Sequence, residues 1–353
     1  MTKTLFDKTL IIGLGLIGGS MAKAILKNNI CSEIWAFDNN KKSLNQAKKD
    51  NIIFKDLSDL SQINQFDLVI LATPLGEYQK IFNKIYNIIS PKIVFFDIGS
   101  LKNFPCENIP SNFIGCHPIA GSDLSGYENS AENIFNQRNF IICPRPCNNQ
   151  QHVKIISDLV GKIKATAILM DSEKHDKIFT LISHLPQFLS FLSNNISPKN
   201  IKNPTLQKAF RLDNSNPLIW QEIFSLNQIN LELFYQQFFT NFTDFGNKLN
   251  KLNIANLIND PDIASYIDLT TCNFDENSAI FFEKNFSALL VRFLIVISYL
   301  KIATVKSHFE YAGQGFKDFI SIIHIFYHHQ NICPNLIKQN STQIEILFNK
   351  IIN

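Results

Sequence analysis

The sequence predicts an α/β, doubly wound Rossmann-type domain at residues 1–171 and an all-α domain at residues 172–353. Its length, 353 residues, exceeds what one hydrophobic core usually holds. In the first half, short apolar runs alternate with helical patterns, and a glycine-rich turn follows the first run. After about Asp171 the strand patterns stop and long segments with helical periodicity begin. These observations favour two domains of different architecture.

Seven apolar runs in the first half predict the strands of one sheet. They are residues 9–12, 34–37, 68–72, 93–96, 113–116, 140–143 and 165–170. Most are continuously apolar, as strands are when helices cover both faces of a sheet. Helical patterns lie between the runs, for example at residues 17–27 and 78–89. Because parallel neighbours need such crossover segments, the alternation predicts a parallel, doubly wound sheet.

Four long segments with helical periodicity predict the second domain: residues 175–192, 217–242, 279–301 and 336–352. Clusters of Asn, Asp and Pro separate them. Residues 183–189 resemble residues 287–294, and residues 227–234 resemble residues 340–348. A degenerate duplication, about residues 172–255 and 279–353, would explain both similarities. Coincidence between Leu- and Phe-rich helices would explain them equally well, and the sequence leaves the two explanations open.

The composition argues against several classes of partner. Hydrophobic residues make up 45% and charged residues 18% of the chain, which is typical of a folded, soluble protein. A net charge of +3 is too small for a nucleic-acid-binding surface. The apolar segment at residues 288–303 is too short to span a bilayer and contains Arg292 and Lys301. We therefore expect a buried helix there, and neither a membrane nor a nucleic-acid partner.

The number and spacing of the cysteines indicate the cellular compartment in which the protein resides. Their number, seven, is odd, and no pair has the short spacing of a zinc or redox site. Cys143 and Cys147 are separated by Pro-Arg-Pro, which does not favour a metal-binding turn. We expect reduced thiols in a cytoplasmic protein and no metal centre.

The turn after the first predicted strand has the spacing of a dinucleotide-binding motif, Gly13-Leu14-Gly15-Leu16-Ile17-Gly18. In that motif the first glycine makes the tight turn, the second lets the backbone approach a pyrophosphate, and the third lets helix and strand pack closely. The positive N-terminal end of the following helix then binds the phosphates. Alone, the motif indicates little more than a glycine-rich turn, so the following strands decide its interpretation.

Two later strand ends support a dinucleotide site. The second predicted strand ends in Asp38, about twenty residues after the last motif glycine, where a carboxylate binds the adenosine ribose hydroxyls. This carboxylate would repel a 2′-phosphate, so the sequence favours NAD over NADP, although Lys41 and Lys42 would weaken the preference. Thr73 and Pro74 end the strand at residues 68–72, where the cofactor should cross the sheet edge.

A candidate general base, His117, follows the predicted strand at residues 113–116. Open α/β folds bind ligands at this carboxyl edge of the sheet. Histidine suits acid–base chemistry beside a nicotinamide because its ordinary pKa lies near neutral pH, and a nearby serine hydroxyl would orient the ring. A single histidine is more often a hydrogen-bonded turn residue, so the neighbouring redox cofactor is what favours catalysis.

An ordered set of motifs resembles the prephenate/arogenate dehydrogenase family. The motifs are Gly-Leu-Gly-Leu-Ile-Gly-Gly-Ser at 13–20, Asp-Ile-Gly-Ser-Leu-Lys at 97–102, His-Pro-Ile-Ala-Gly-Ser-Asp at 117–123, His-Asp at 175–176 and Ser-His-Leu-Pro at 183–186. Residues 211–227 also resemble the family's arginine-bearing stretch. The order makes the set specific, and it covers the chain from its start to about Asn227. The resemblance implies NAD-dependent oxidative decarboxylation of prephenate or arogenate in tyrosine biosynthesis.

The resemblance implies a role for each matching residue. His117 would accept or polarise the proton of the C4 hydroxyl while hydride passes from C4 to the nicotinamide, and Ser100 would position both His117 and the nicotinamide. Arg211 would bind a substrate carboxylate through its planar guanidinium. The implied substrate pocket also includes Ser122, Asp123 and His184, and the acidic Asp123 would influence substrate choice. Loss of the ring carboxylate as CO2 leaves an aromatic ring, which makes the reaction effectively irreversible.

Two departures from the family pattern affect the substrate pocket. Gln187 stands where the family commonly has a second histidine, so the charge of the pocket must differ. The family's Gly-Gly-Gly-Phe-Lys-Asp motif is missing before Arg211, and a close match appears at residues 313–318 instead. Two copies of a helical domain that each kept half of the motif would explain this. Lys317 and Asp318 would then complete the pocket or only pack, and the sequence leaves both open.

The resemblance also implies a homodimer formed through the helical domain, which we expect over a monomer that pairs two internal copies. Two other functions remain open. One is another two-domain NAD(P)-dependent hydroxy-acid dehydrogenase, which would rely on a helical-domain lysine such as Lys174 or Lys177. The other is a non-catalytic NAD-binding sensor. Neither the choice between prephenate and arogenate nor feedback inhibition by tyrosine follows from the sequence.

Overall fold

The structure, a computed structural model, describes residues 4–121, 124–199, 201, 204–248, 252–264, 281–302, 306–331 and 333–352. Ser122 and Asp123, two of the predicted substrate residues, lie outside the described residues. The chain forms two compact units, one of residues 1–177 and 217–227 and one of residues 178–216 and 228–353. The first unit thus extends past residue 171, and the predicted domain boundary there stays a prediction.

The first unit contains an eight-stranded sheet. Its strands are β1 (Phe6–Ile12), β2 (Cys31–Phe37), β3 (Lys55–Asp56), β4 (Leu68–Leu71), β5 (Val94–Asp97), β6 (Phe113–Pro118), β7 (Asn139–Cys143) and β8 (Thr166–Leu169). They lie in the order β3-β2-β1-β4-β5-β6-β7-β8. The first six positions have the order of a doubly wound dinucleotide-binding fold, which reverses direction between β1 and β4. The predicted fold class is therefore confirmed, and each of the predicted runs overlaps a strand.

Two details of the sheet differ from the prediction. β6 and β7 pair antiparallel, whereas the alternation predicted parallel strands. The described residues between them contain a short 3-10 turn, Tyr127–Asn129, and no helix that crosses the sheet, so the chain returns in the opposite direction. β3 was missed because it has only two residues, Lys55 and Asp56, and both are polar.

Alternate side chains of the strands enter two separate hydrophobic cores on opposite faces of the sheet. In β1, Leu10 and Ile12 belong to one core and Ile11 to the other. β4 repeats the alternation, with Val69 in one core and Ile70 in the other. Because both faces are buried there, residues 10–12 of β1 and all four residues of β4 are apolar, which explains the continuous runs in the sequence.

Some helices lie in the predicted segments, with different bounds, and others lie outside the segments named from the sequence. Those that begin before residue 228 are α1 (Leu16–Lys27), α2 (Lys41–Lys49), α3 (Tyr78–Ile85), α4 (Gln150–Lys162), α5 (Ser172–Phe179), α6 (Leu185–Ser193), α7 (Pro204–Ala209) and α8 (Pro217–Leu226). A π-helical turn, Thr180–His184, joins α5 to α6, and a 3-10 turn, Arg211–Asn214, follows α7. Asn40 caps α2 by accepting hydrogen bonds from the backbone N–H groups of Lys42 and Ser43.

The remaining helices all belong to the second unit. They are α9 (Gln228–Asn247), α10 (Ile254–Ile258), α11 (Pro261–Ala264), α12 (Phe286–Leu300), α13 (Gln314–Ile320), α14 (Ile322–His329) and α15 (Cys333–Ile352). The segment predicted as one helix at residues 217–242 is therefore two, α8 and α9. α12 is buried along its length except at Ala288, as predicted for this apolar segment. No helix in the described part of the chain is long and apolar enough to cross a membrane.

Candidate functional site

The glycine turn after β1 has the geometry that its sequence predicts. Gly13 has a φ of +102°, which favours glycine, and a Cβ there would lie 2.6 Å from the carbonyl oxygen of Ala72. A Cβ on Gly18 would lie 2.1 Å from the carbonyl oxygen of Gly13, so only glycine lets α1 pack this closely on the turn. A Cβ on Gly15 would meet nothing within 4 Å, so its backbone faces open space.

Asp38 stands beside this turn at the end of β2. One carboxylate oxygen, Oδ2, accepts a hydrogen bond of 2.6 Å from the backbone N–H of Leu14, and Oδ1 accepts one of 2.6 Å from that of Asn40. The two contacts hold the carboxylate at one wall of a pocket of about 470 Å³. Thr73 also lines the pocket, and its buried Oγ1 has no hydrogen-bond partner among the described residues.

The pocket lies at the switch point between β1 and β4, where open α/β folds bind nucleotides. Six of the nine predicted cofactor residues line it: Gly13, Leu14, Gly15, Asp38, Thr73 and Pro74. Leu16, Ile17 and Gly18 instead form the start of α1. The lining also includes Asn40, Lys80 and Lys84, which the sequence analysis did not single out. An open backbone, a fixed carboxylate and an unpartnered hydroxyl together fit the phosphates and ribose of a dinucleotide.

A buried ion pair fixes the ends of β5 and β6. Lys102 and Asp97 are both fully buried and lie 2.5 Å apart. Asp97 Oδ1 also accepts a hydrogen bond of 2.7 Å from the backbone N–H of Cys116, while Lys102 Nζ donates one of 2.6 Å to the carbonyl oxygen of Cys116. Asp97 Oδ2 accepts a further bond of 2.9 Å from the Tyr78 hydroxyl. Since Cys116 precedes His117, this network sets the position of the candidate base.

His117 begins a chain of three side chains. Its Nδ1 lies 2.9 Å from Nε2 of His175, and Nδ1 of His175 lies 2.7 Å from Oδ1 of Asp176. Asp176 also accepts hydrogen bonds from the backbone N–H groups of Lys102, at 2.9 Å, and Asn103, at 2.7 Å. His175 is fully buried, whereas His117 is partly exposed.

Burial lowers the pKa of His175 well below its ordinary value, and the positive charge of Lys102 lowers it further. His175 and Asp176 were recognised in the sequence only as part of a motif and received no role. They lie 58 and 59 residues after His117, so no local spacing could have revealed the contact. Ser100 lies at the start of the loop after β5, partly buried, and no hydrogen bond joins it to His117 among the contacts that the structure describes. Its predicted role stays a prediction.

In the second unit, the turn Arg211–Asn214 contains one predicted substrate residue, Arg211, and contacts another, Gln187. Gln187 is buried, donates a hydrogen bond of 2.7 Å to the carbonyl oxygen of Leu212 and accepts one of 3.1 Å from the Ser215 hydroxyl. It therefore braces the turn from α6. His184 is also buried and lies in the π-helical turn before α6.

Arg211 forms an ion pair with a residue more than a hundred positions away. Its Nε donates to Oδ2 of Asp318 over 2.5 Å, and the Asp318 side chain is 5% exposed while that of Arg211 is 32% exposed. A Cβ on Gly315, one turn earlier in α13, would lie 3.4 Å from a methyl group of Leu212. The Arg211 segment and the motif at residues 313–318, which the sequence separates, are thus in contact.

A buried arginine holds the other side of the same turn. Arg292 in α12 lies 3.3 Å from Oδ1 of Asp213 and also donates to the hydroxyls of Ser190 and Ser193 in α6. Burial lowers the pKa of Arg292, whereas the nearby Asp213 carboxylate opposes this effect. Asp213 in turn accepts a hydrogen bond of 2.6 Å from the Ser197 hydroxyl. The turn is therefore fixed by α6, α12 and α13 together.

Within the described part of the chain, no group of three or more His, Cys, Asp or Glu residues is arranged to hold a metal ion. The described cysteines, which are Cys31, Cys106, Cys116, Cys143, Cys147 and Cys333, are free thiols.

Comparison with known proteins identifies the family. Residues 21–169 match the model of the prephenate dehydrogenase nucleotide-binding domain, and residues 171–259 match that of the prephenate dehydrogenase dimerization domain. Prephenate dehydrogenase of Bacillus subtilis is 29% identical, over 63% of this chain and 64% of that protein. The chain therefore spans less than two thirds of that relative's length. Cyclohexadienyl dehydrogenase of Zymomonas mobilis is 27% identical, over 62% of this chain and 80% of that protein.

A solved structure agrees with these matches. The crystal structure of prephenate dehydrogenase from A. aeolicus in complex with hydroxyphenyl propionate and NAD+ covers 74% of this chain and 95% of that chain, with a TM-score of 0.62 and 25% identity. The motifs, the strand order, the pocket beside β1 and the two family models lead to one conclusion: the chain belongs to the prephenate dehydrogenase family.

Proposed function

We propose that this chain is an NAD-dependent dehydrogenase that oxidatively decarboxylates prephenate or arogenate, and that His117 is its general base. The position of His117 carries the proposal. The residue is the second to last of β6, a strand parallel to β5, and so lies toward the same carboxyl edge of the sheet as the glycine turn after β1 and Thr73 after β4. Its relatives, a prephenate dehydrogenase and a cyclohexadienyl dehydrogenase, act on substrates of this ring class.

The chain's own residues fit the dinucleotide. Gly13 and Gly15 bring the backbone to the phosphates, Asp38 accepts from the adenosine ribose hydroxyls, and Thr73 Oγ1 offers an unpartnered hydroxyl. Bound NAD supplies the acceptor for the hydride that leaves C4 of the substrate. The carboxylate of Asp38 disfavours a 2′-phosphate, and therefore NADP, through charge repulsion.

His117 moves the proton in this reaction. Its ring takes the proton of the C4 hydroxyl as the C4–H bonding pair departs, so that C4 becomes a carbonyl carbon. The ring carboxylate then leaves as CO2, and its bonding electrons pass through the ring to the carbonyl oxygen. That oxygen recovers a proton and becomes the phenol hydroxyl of the product. Ser100, after β5, positions the imidazole and the nicotinamide.

The substrate's carboxylates need positive charge and hydrogen-bond donors. Arg211 supplies the guanidinium, whose planar donors suit a carboxylate and whose orientation Asp318 holds through Nε. By analogy with the family motifs, we also assign substrate binding to His184, Ser122 and Asp123. Gln187 supports the turn that contains Arg211 through its hydrogen bond to Leu212. Because it is an amide where the family commonly has a second histidine, it adds no imidazole charge to the pocket.

The hydroxy-acid dehydrogenase alternative needs a lysine at the site, and the structure disfavours it. Lys174 and Lys177 are both exposed on α5, and Lys177 forms an ion pair of 2.7 Å with Glu173 on the same helix. We also propose that the protein is a homodimer, since residues 171–259 match the family's dimerization domain.

Steady-state assays with both substrates and both cofactors test the proposed function. The wild-type protein should form NADH from prephenate, from arogenate or from both, and turn over far more slowly with NADP. His117→Asn should lower kcat by about a hundredfold or more, because the base is lost, while NAD still binds. Calorimetric titration with NAD checks that binding.

The control for the assay is the matched variant His152→Gln, which changes a buried histidine in α4 outside the site and should leave kcat unchanged. A folded, NAD-binding wild-type protein that oxidises neither substrate would exclude the proposed function.

A further inference from the structure

The proposed base is one end of a hydrogen-bond chain in which the position of each proton can be assigned. Asp176 accepts from two backbone N–H groups, an arrangement that favours its ionised form. An ionised carboxylate has no proton to donate. The proton in the 2.7 Å contact between His175 and Asp176 must therefore reside on Nδ1 of His175.

The next contact follows from the charge of His175. The ring is fully buried, and the charged or titratable groups that the described contacts place against it include His117 from β6, Asp176 from its own helix and Lys102 from the loop after β5. Burial lowers the pKa of His175 well below its ordinary value, and Lys102 adds to the effect, so the ring is neutral near pH 7. A neutral ring with its proton on Nδ1 has a lone pair on Nε2.

That lone pair can only accept, so His117 Nδ1 is the donor of the 2.9 Å bond between the two rings. A neutral His117 then has no proton on Nε2. We propose that His175 and Asp176 are positioning residues that hold the neutral His117 with its lone pair on Nε2, directed to take the proton of the substrate hydroxyl. The inference rests on the proposed function for the identity of that hydroxyl, whereas the proton assignments rest on the contacts alone.

The chain also supports the charged state of His117. When Nε2 takes the substrate proton, the new imidazolium keeps donating from Nδ1 to His175, and the Asp176 carboxylate behind it offsets the positive charge. No other proton changes place, because His175 stays neutral. The same arrangement run in reverse returns the proton to the ring oxygen after decarboxylation.

Imidazole ¹⁵N chemical shifts of the ligand-free, full-length protein test the assignment directly. We expect both His117 and His175 to have the proton on Nδ1 at neutral pH, which is the rarer tautomer in solution. His117→Asn and His175→Gln assign the two sets of signals. A neutral His117 with its proton on Nε2, or a His175 that titrates near its ordinary pKa, would overturn the proposal.

Asp176→Asn gives a second, sharper readout. The amide can donate to Nδ1 of His175, which would reverse both hydrogen bonds and leave the proton of His117 on Nε2. We expect the ¹⁵N spectrum to show this switch and kcat to fall at least about tenfold, with the KM for the substrate and the affinity for NAD little changed. An unchanged tautomer together with an unchanged kcat would contradict the inference.

A buried-histidine control separates positioning from general destabilisation. His175→Gln should lower kcat about tenfold or more and move the acid limb of the kcat/KM pH profile, whereas His152→Gln, which also changes a buried histidine, should alter neither. If His175→Gln lowers only thermal stability, the positioning role is wrong. Absence of turnover in the wild type would count against the proposed function, and the ¹⁵N spectrum would still decide the tautomers.

Discussion

Asp38 shows how a single side chain sets cofactor choice. Its carboxylate is fixed by the backbone N–H groups of Leu14 and Asn40, so it cannot swing away from the ribose position. Two negative charges at close range in a partly buried pocket repel by several kcal/mol, on the order of 4 kcal/mol at 4 Å. A 2′-phosphate would meet this repulsion, whereas a 2′-hydroxyl would find an acceptor.

Asp38→Asn should therefore relax the preference for NAD. The amide oxygen can still accept one backbone hydrogen bond, but the charge is gone. We expect the ratio of kcat/KM with NAD to kcat/KM with NADP to fall about tenfold or more, since ~1.4 kcal/mol corresponds to tenfold. Initial rates with both cofactors measure the ratio.

The matched control for this prediction is Glu33→Gln, which removes a carboxylate from β2, the strand that precedes Asp38, at a position that does not line the pocket. It should leave the cofactor ratio unchanged. An equal change in both variants would mean that net charge, and not the fixed carboxylate, governs the preference.

At the scale of elements, the turn Arg211–Asn214 depends on helices that come later in the chain. α13 contributes Asp318, which pairs with Arg211, and α12 contributes Arg292, which pairs with Asp213. Both helices lie beyond residue 259, where the match to the dimerization domain ends. The far C-terminal part of the chain thus supports the residue that we assign to the substrate carboxylate.

Asp318→Asn should weaken substrate binding more than turnover. Without the carboxylate, Nε of Arg211 loses this charged partner, and the orientation of the guanidinium is less tightly fixed. We expect the KM for the substrate to rise about tenfold while kcat and NAD affinity change little. The lost interaction would stabilise the bound substrate and the transition state equally, so its loss raises KM and leaves kcat unchanged. Steady-state kinetics and a thermal melt of each variant check this result.

Lys317→Ala is the neighbouring control, since Lys317 is exposed on the same helix. It should leave KM within about twofold of the wild type. A KM that responds to Lys317 and not to Asp318 would assign the contribution of α13 to its lysine instead.

The elements also show what the sequence could predict. Apolar runs identified the strands because burial on both faces leaves an uninterrupted pattern, as at Leu10, Ile11 and Ile12. The direction of strand pairing was harder to predict, since nothing in the run at residues 140–143 distinguishes an antiparallel β7 from a parallel one. The break between α8 and α9 at Asn227 was also invisible, because apolar periodicity continues through it.

The residues of the candidate site also fall into those that the sequence could predict and those that it could not. The glycine turn and Asp38 were predictable since each follows a strand within a short, regular spacing. The contacts of His117 with His175 and of Arg211 with Asp318 were not, because they join residues 58 and 107 positions apart. A motif identified the histidine at 175 and the aspartate at 318 as unusual, but only tertiary packing gave them partners.

At the scale of the whole molecule, exposed apolar side chains on the second unit indicate how the protein assembles. α9 lies within the match to the dimerization domain and exposes Ile229, 85% accessible, and Leu233, 48% accessible, one helical turn apart. Large apolar side chains paired on one helix face favour burial against a protein surface. A second copy of this chain is the partner that the dimerization-domain match supports.

The wild-type protein should therefore have twice the mass of a 40.3 kDa chain in light scattering. Ile229→Asp combined with Leu233→Asp should shift it to a monomer, because a dimer would bury both charges without partners. Ile346→Asp in α15 is the matched control, since Ile346 is equally exposed, at 48%, but lies outside the match. A monomeric wild type would contradict the dimer. It would favour internal pairing, in which α12–α15 take the place of a partner and leave Ile229 at the surface.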